Sequence, residues 1–170
     1  MRLAWLVAIA AVGIAGCGSS ADSARPLVDD IPVAINALES STGSDLEYFE
    51  VSADLTGVTL ILAETAVSDS GEASGTYATT YRFEEGELSS AGETLPAEGA
   101  TFRAAAIDID PMKLFNQVDA ELSQPVIVDV AVQGAGDGTA IVDATVVNDK
   151  GGTLLVLLSG DGRILGVQAS

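Results

Sequence analysis

Apolar residues recur along the chain with two periods, one typical of helices and one typical of strands. Between residues 27 and 40 they return every three or four positions, which predicts an amphipathic helix. These positions hold Leu27, Ile31, Ile35 and Leu38. Ser41-Thr42-Gly43 is expected to end this helix. A second helix is predicted to begin at Asp110-Pro111, since aspartate is a good cap and proline a good first residue. Its expected buried face comprises Met112, Phe115, Val118 and Leu122.

Each helix is followed by segments with strand character. After the first helix, strands are predicted over 46–53, 58–63, 76–83 and 87–88. After the second, they are predicted over 126–133, 139–147, 153–158 and 163–167. The runs 58–63 and 153–158 are continuously apolar, so we expect both to be buried on both faces. Asp161-Gly162 predicts a hairpin turn.

The two passages correspond at a spacing of about eighty residues. Glu50-Val51 matches Asp129-Val130, and Ser68-Asp69 matches Asn148-Asp149. This order of turns and apolar runs indicates an internal duplication. We therefore expect an α+β fold, with two repeated helix-then-antiparallel-strands units forming one compact helix-on-sheet domain. The expected boundaries are 1–16 for a signal peptide, 17–25 for a tether, 26–90 for the first unit, 91–104 for a linker and 105–170 for the second unit.

The first seventeen residues have the pattern of an export signal. Arg2 is followed by an apolar run from Leu3 to Ala15 and then by small residues. A helix of about thirteen residues rises only about 20 Å, too short to cross about 30 Å of hydrocarbon. A retained membrane-spanning helix is therefore not expected.

The end of this run, Ile14-Ala15-Gly16-Cys17, resembles the lipobox of bacterial lipoproteins. The resemblance implies cleavage between Gly16 and Cys17, with a diacylglycerol and an N-acyl lipid on Cys17, the only cysteine. It also implies an extracytoplasmic location on the cell membrane, or on an outer membrane if the envelope has one. The alternative is an ordinary secretory signal with an incidental cysteine.

The last predicted hairpin carries a second resemblance. The run Asp-Gly-Arg-Ile-Leu-Gly-Val at 161–167, after a helix and three strands, is similar to the close of PepSY-like envelope domains. Tandem copies of such units also resemble secreted β-lactamase-inhibitor proteins. The match covers about 105–168 and more faintly 27–90. It implies a binding or inhibitory module.

Composition narrows the classes of function. The chain has 25 acidic and 7 basic residues, a net charge of −18, and no histidine. Such a charge disfavours nucleic acid and anionic lipid surfaces as partners. Histidine-dependent catalysis and the usual zinc ligand sets are excluded. Lys113 and Lys150 are the remaining candidate amines for a serine–lysine arrangement, and neither lies in a motif. We therefore expect no enzyme, no catalytic residue and no cofactor apart from the lipid.

Several acidic and glycine-rich stretches are candidate ion sites, but each pattern fits a helix cap, a turn or a surface loop better. Asp108 and Asp110 could offer carboxylates to Ca²⁺, but Asp110 is the predicted helix cap. Asp137 lacks the other ligands of a calcium loop. Gly134, Gly136 and Gly138 lack the lysine of a phosphate loop. The group Glu84, Glu85 and Glu87 surrounds a turn. No metal-binding residue is predicted.

These observations favour a membrane-anchored lipoprotein that binds or inhibits another envelope protein. The alternative is a carrier of lipid or a small apolar ligand, which would need an internal pocket of several hundred Å³. A carboxylate-based enzyme is the third hypothesis.

Overall fold

The computed structural model describes residues 24–67, 73–148 and 151–169. It contains two α-helices, α1 (Ile31–Thr42) and α2 (Pro111–Glu121), and two short 3₁₀ turns, Val28–Asp30 and Ala104–Ala106. The strands are β1 (Glu47–Asp54), β2 (Val58–Val67), β3 (Ala73–Glu84), β4 (Glu87–Ser90), β5 (Leu95–Pro96), β6 (Phe102–Arg103), β7 (Val126–Gly134), β8 (Ala140–Val147), β9 (Thr153–Leu158) and β10 (Ile164–Ala169).

All ten strands belong to one antiparallel sheet. The main order is β10-β9-β8-β7-β1-β2-β3-β4, while β5 pairs with β3 and β6 pairs with β1. At the centre, β1 pairs with β7, with Glu50 opposite Gln133 and Asp54 opposite Asp129. This pairing joins the strands that follow α1 to the strands that follow α2.

The expected fold class, α+β with two repeated helix-then-strands units, is wrong. One continuous sheet of ten strands dominates the described residues, against α-helices of only 12 and 11 residues. A helix-on-sheet arrangement is present in part: the two short helices pack together on one face of the sheet. The apolar pattern indicated which residues would be buried, but it held no information on which strand edges would pair.

One face of the sheet, which we name the covered face, packs against both helices. Buried residues of α1 and α2 form a single cluster with residues from β1, β2, β3 and β7 to β9. The helices contribute Ile31, Ala34, Ile35, Leu38, Leu114, Phe115 and Val118. Apolar burial on this face is the main stabilising contribution to the fold.

The two continuously apolar runs are not buried on both faces, contrary to expectation. In β9, Val156 and Leu158 are buried, whereas Leu155 and Leu157 are 41% and 38% exposed. In β2, Leu60 is buried and Ile61 only partly so. Because side chains alternate along a strand, the second set lies on the opposite side of the sheet, which we name the open face.

The local signals around α2 were largely correct. The Asp110 side chain accepts a hydrogen bond from the Lys113 backbone N–H at 3.1 Å, so the predicted cap is confirmed. The Asp161-Gly162 turn joins β9 to β10, and a Cβ on Gly162 would lie 2.4 Å from Leu114 Cα. Glycine therefore lets α2 approach this turn closely. Met112, expected on the buried face, is 74% exposed.

Candidate functional site on the open face

The N-terminal half of the open face is crossed by residues 97–101, which we name the strap. The strap leaves β5 beside β3 and reaches β6 beside β1, so it must pass β2. A cavity of about 810 Å³ lies between the strap and the sheet. Its lining includes Glu47, Phe49, Ala63, Thr65, Thr76 and Gly99.

Close backbone contact and side-chain hydrogen bonds hold the strap. A Cβ on Gly134, the last residue of β7, would lie 2.6 Å from the Ala100 carbonyl, so only glycine fits there without displacement. The Thr101 hydroxyl donates to Glu47 at 3.0 Å, and Arg103 lies 3.4 Å from the same carboxylate. The strap is therefore fixed to β1 and to the end of β7.

The same half of the open face contains a satisfied ion pair. The Arg82 guanidinium donates to both carboxylate oxygens of Asp54, at 2.8 and 2.9 Å, and also to the hydroxyls of Thr56 and Thr59. Hydrogen bonds from Arg82 are the main reason that the pKa of Asp54 lies far below its ordinary value. This network ties β1, β2 and β3 together across the face.

Three carboxylates lie beyond this pair, on β1, β7 and β8. We name Glu50, Asp129 and Asp143 the open-face carboxylates. Ala131, between them in register, is only 4% exposed although it lies on the open face. Ala131 lies opposite Asp143 on one side and Ser52 on the other, so neighbouring side chains, Asp143 among them, cover it.

Burial and repulsion from nearby carboxylates disfavour ionisation of Asp129 and Asp143. Burial first, and then Glu50, Asp143 and Asp54, raise the pKa of Asp129 to about 6, while Arg82 opposes the rise. Burial first, and then Glu50, raise the pKa of Asp143. Among the described residues, neither aspartate has a basic partner within 4 Å. A cation placed here would relieve the repulsion and favour the ionised forms.

An apolar groove adjoins these carboxylates on the C-terminal half of the face. We define the groove by Ile141, Leu155 and Leu157, which are between 38% and 41% exposed. It encloses about 400 Å³, and its lining also includes Asp143, Gln133 and Gln168. Asp143 therefore lies at the border between the groove and the carboxylates.

The residues singled out in the sequence lie away from this site or outside the description. Gly16, Cys17 and Lys150 fall outside the described residues. Asp110 caps α2 and contacts Lys113 Nζ at 2.9 Å, and Asp137 accepts from the Thr139 N–H at 3.0 Å in a turn. Gly134 supports the strap rather than a phosphate. The exposed Glu84, Glu85 and Glu87 surround the β3–β4 turn, as expected.

Sequence reasoning missed the open-face carboxylates. Asp129 and Asp143 each interrupt a run of apolar residues, as in Val128-Asp129-Val130, and this is the signal that could have found them. Alternation alone places each aspartate on the face opposite the valines. Their meeting with Glu50 depends on the β1–β7 pairing, which the pattern does not specify.

Comparison with known proteins found no matching family model, curated protein or solved structure. Neither of the helices in the described ranges combines the length and the apolar composition that a membrane-spanning segment needs. Within those same ranges, no group of three or more Cys, Asp or Glu side chains is arranged to hold a metal ion.

Proposed function

We propose that the protein is a lipid-anchored lipoprotein of the cell envelope that binds, or restrains, another envelope protein through the open face. The observation that carries this proposal is the apolar groove, which leaves three large side chains exposed beside two aspartates, Asp129 and Asp143, that have no basic partner within 4 Å in the described ranges. Exposed apolar residues that cluster beside polar ones are typical of protein interaction surfaces.

The anchoring part of the proposal rests on the lipobox-like run that ends at Cys17. The first described residues support a defined exit for a tether. Arg25 pairs with Asp119 at 2.8 Å and lies 5.1 Å from the centre of the Phe115 ring. The Leu27 N–H donates to the Asp54 carbonyl at 2.9 Å. These contacts hold the start of the folded chain against α2 and the end of β1.

Carriage of a lipid is the weaker hypothesis. It requires an enclosed pocket lined by Val, Leu and Ile. The cavity under the strap has a sufficient volume, about 810 Å³, but threonine, glutamate and glycine contribute much of its lining. Acyl chains would leave these polar groups without hydrogen bonds, which is costly. An exposed groove suits a protein partner better.

The anchor is tested by metabolic labelling with a radioactive fatty acid in the native host. We expect the wild-type chain to incorporate label and the Cys17→Ser variant to incorporate none, because no other thiol is present to carry the lipid. Ser19→Ala is the matched control and should be labelled as the wild type is. Equal labelling of Cys17→Ser would contradict lipidation at this residue.

Partner binding is tested by cross-linking in intact membranes, followed by mass spectrometry. We expect one stoichiometric partner that is lost when Leu155 and Leu157 are both changed to Ser. Leu95→Ser, which alters an exposed leucine in β5 on the other half of the sheet, should retain the partner. If no cross-linked protein depends on the two groove leucines, the proposed function is wrong.

A further inference from the structure

We infer that the partner of the open face presents a cationic amphipathic segment, with apolar side chains for the groove and Lys or Arg side chains for the open-face carboxylates. The inference rests on the proposed protein-binding function and specifies the chemistry of the partner. Its basis is the arrangement of two different surfaces side by side on neighbouring strands.

The spacing of the strands allows one partner segment to contact both the groove and the open-face carboxylates. Adjacent strands lie about 4.8 Å apart, so β8, β7 and β1 carry Asp143, Asp129 and Glu50 across about 10 Å. In register, Leu157 lies directly opposite Asp143 on the next strand. One short stretch of a partner can therefore place an apolar side chain against Leu157 and a cationic side chain beside Asp143.

Charge selects a cationic occupant. Ionised Asp129 faces Glu50 and Asp54 on β1 and Asp143 on β8, and Arg82 on β3 is its only cationic contributor among the described groups. Arg82 is itself bound by Asp54 and two threonines. A lysine or arginine from outside would supply the missing charge, and hydrogen bonds to charged groups are the stronger kind.

A second copy of this chain fits the groove poorly. Each copy carries a net charge of −18, and a self-association through the groove would bring two sets of open-face carboxylates together. Anionic lipid is disfavoured for the same reason. A neutral apolar segment would leave the carboxylates buried without a counter-charge, which is costly.

The test uses the full chain, purified in a non-ionic detergent, and a synthetic peptide of four Val-Lys repeats with blocked ends. Titration calorimetry at low salt should detect binding that weakens as salt is added. Peptides of Val-Glu and of Ser-Lys repeats are the controls for charge and for apolar contact. We expect at least tenfold weaker binding of either control. Equal binding of the Ser-Lys peptide would overturn the inference, because a strongly acidic protein attracts any polycation.

Two matched substitutions separate the site from the overall charge. Asp143→Asn and Glu93→Gln each remove one negative charge, and Glu93 is exposed in the loop between β4 and β5. We expect Asp143→Asn to weaken binding of the Val-Lys peptide about tenfold and Glu93→Gln less than twofold. Equal effects of the two would overturn the inference. Asp143→Asn removes repulsion, so a raised melting temperature will show that the variant is folded.

The remaining outcomes identify other occupants and separate the two proposals. A dimer in sedimentation that Leu157→Ser abolishes would assign the groove to a second copy, and groove-dependent binding to neutral phosphatidylcholine vesicles would assign it to lipid. Either result overturns a cationic segment. If the membrane partner depends on the groove leucines but the Val-Lys peptide does not bind, only the inferred chemistry fails. If the peptide binds at the groove but no partner is cross-linked, the proposed function fails.

Discussion

The two halves of the open face differ in how their charged and apolar side chains are satisfied. On the N-terminal half, Arg82 neutralises Asp54 and the strap covers the ends of β1, β2 and β3. On the C-terminal half, Asp143 borders an exposed groove and no basic side chain of the described chain lies within 4 Å of it. The Asp54 carboxylate of the first half is paired within the chain, whereas Asp143 of the second has no basic partner among the described residues.

The pKa values of two neighbouring aspartates show the same difference between the two halves. Asp54 and Asp129 are opposite each other in the β1–β7 pairing, yet their pKa values shift in opposite directions. Hydrogen bonds from Arg82 lower the pKa of Asp54, whereas burial and nearby carboxylates raise the pKa of Asp129 to about 6. Proximity to the Arg82 guanidinium therefore separates a carboxylate that is paired within the chain from one that has no basic partner within 4 Å among the described residues.

Displacing the strap should produce the largest change in stability and would remove the difference between the two halves of the open face. In Gly134→Val, the new side chain would overlap the Ala100 carbonyl, so the strap or β7 must move. We expect a loss of about 3 kcal/mol in the free energy of unfolding, in the range for overpacking. Urea denaturation measures the loss, and hydrogen exchange at residues 97–101 shows whether the strap has opened.

Gly92→Ala is the control for the strap, because a Cβ at Gly92 would contact nothing within 4 Å. It should leave the free energy of unfolding within about 0.5 kcal/mol of wild type. A Gly134→Val protein with unchanged stability and unchanged exchange at the strap would contradict the close approach that holds the strap over the N-terminal half of the open face.

A smaller loss is expected when the Asp54 pair is removed. Arg82→Met retains much of the side-chain volume but deletes the hydrogen bonds to Asp54, Thr56 and Thr59. Because Asp54 is 40% exposed, we expect a loss of about 2 kcal/mol at pH 7, below the value for a fully buried charged pair. Arg103→Met, which removes a 61% exposed arginine paired at 3.4 Å, should cost less than about 1 kcal/mol.

The pH dependence of this loss identifies its cause. The pKa of Asp54 is lowered on folding, so its contribution is present above the ordinary aspartate pKa of about 4 and is lost as the pH falls further. The difference in stability between wild type and Arg82→Met should therefore narrow in acid. Urea denaturation at pH 7, 4 and 3 measures it, and a constant difference would show that the ion pair is not the cause.

Local signals in the sequence predicted individual elements well. The cap at Asp110, the turn at Asp161-Gly162 and most strand positions depend on residues close together in the chain, so a single sequence contains the necessary information. The covered face also follows from alternation, because burial of valine and leucine dominates its energetics.

The open face depended on contacts that the sequence pattern does not contain. The pairing of β1 with β7 joins residues between 75 and 83 positions apart, and it brings Glu50 near Asp129. The apolar run 153–158 predicted burial on both sides, yet Leu155 and Leu157 lie on a face that neither helix covers. Whether an apolar strand is buried on one face or on both depends on which other elements pack against the sheet.

The smallest expected change in stability comes from a substitution among the open-face carboxylates. Asp129→Asn removes an ionised carboxylate that burial and its neighbours disfavour, with little change in shape. We expect a gain of about 1 kcal/mol in the free energy of unfolding at pH 7.5, reduced from the full pKa shift because Asp129 is partly solvated. Glu93→Gln, an exposed control, should change it by less than about 0.5 kcal/mol.

The sign of the pH dependence is opposite to that at Asp54. The pKa of Asp129 is about 6 in the folded chain and about 4 when unfolded, so the folded state binds more protons between these values. Its penalty is therefore fully present above pH 6 and disappears as the pH falls towards 4. The advantage of Asp129→Asn over wild type should be largest at pH 7.5 and vanish near pH 4, as measured by urea denaturation. An advantage that is absent at pH 7.5, or that grows in acid, would mean that Asp129 is satisfied within the chain, and the contrast between the two halves would not hold.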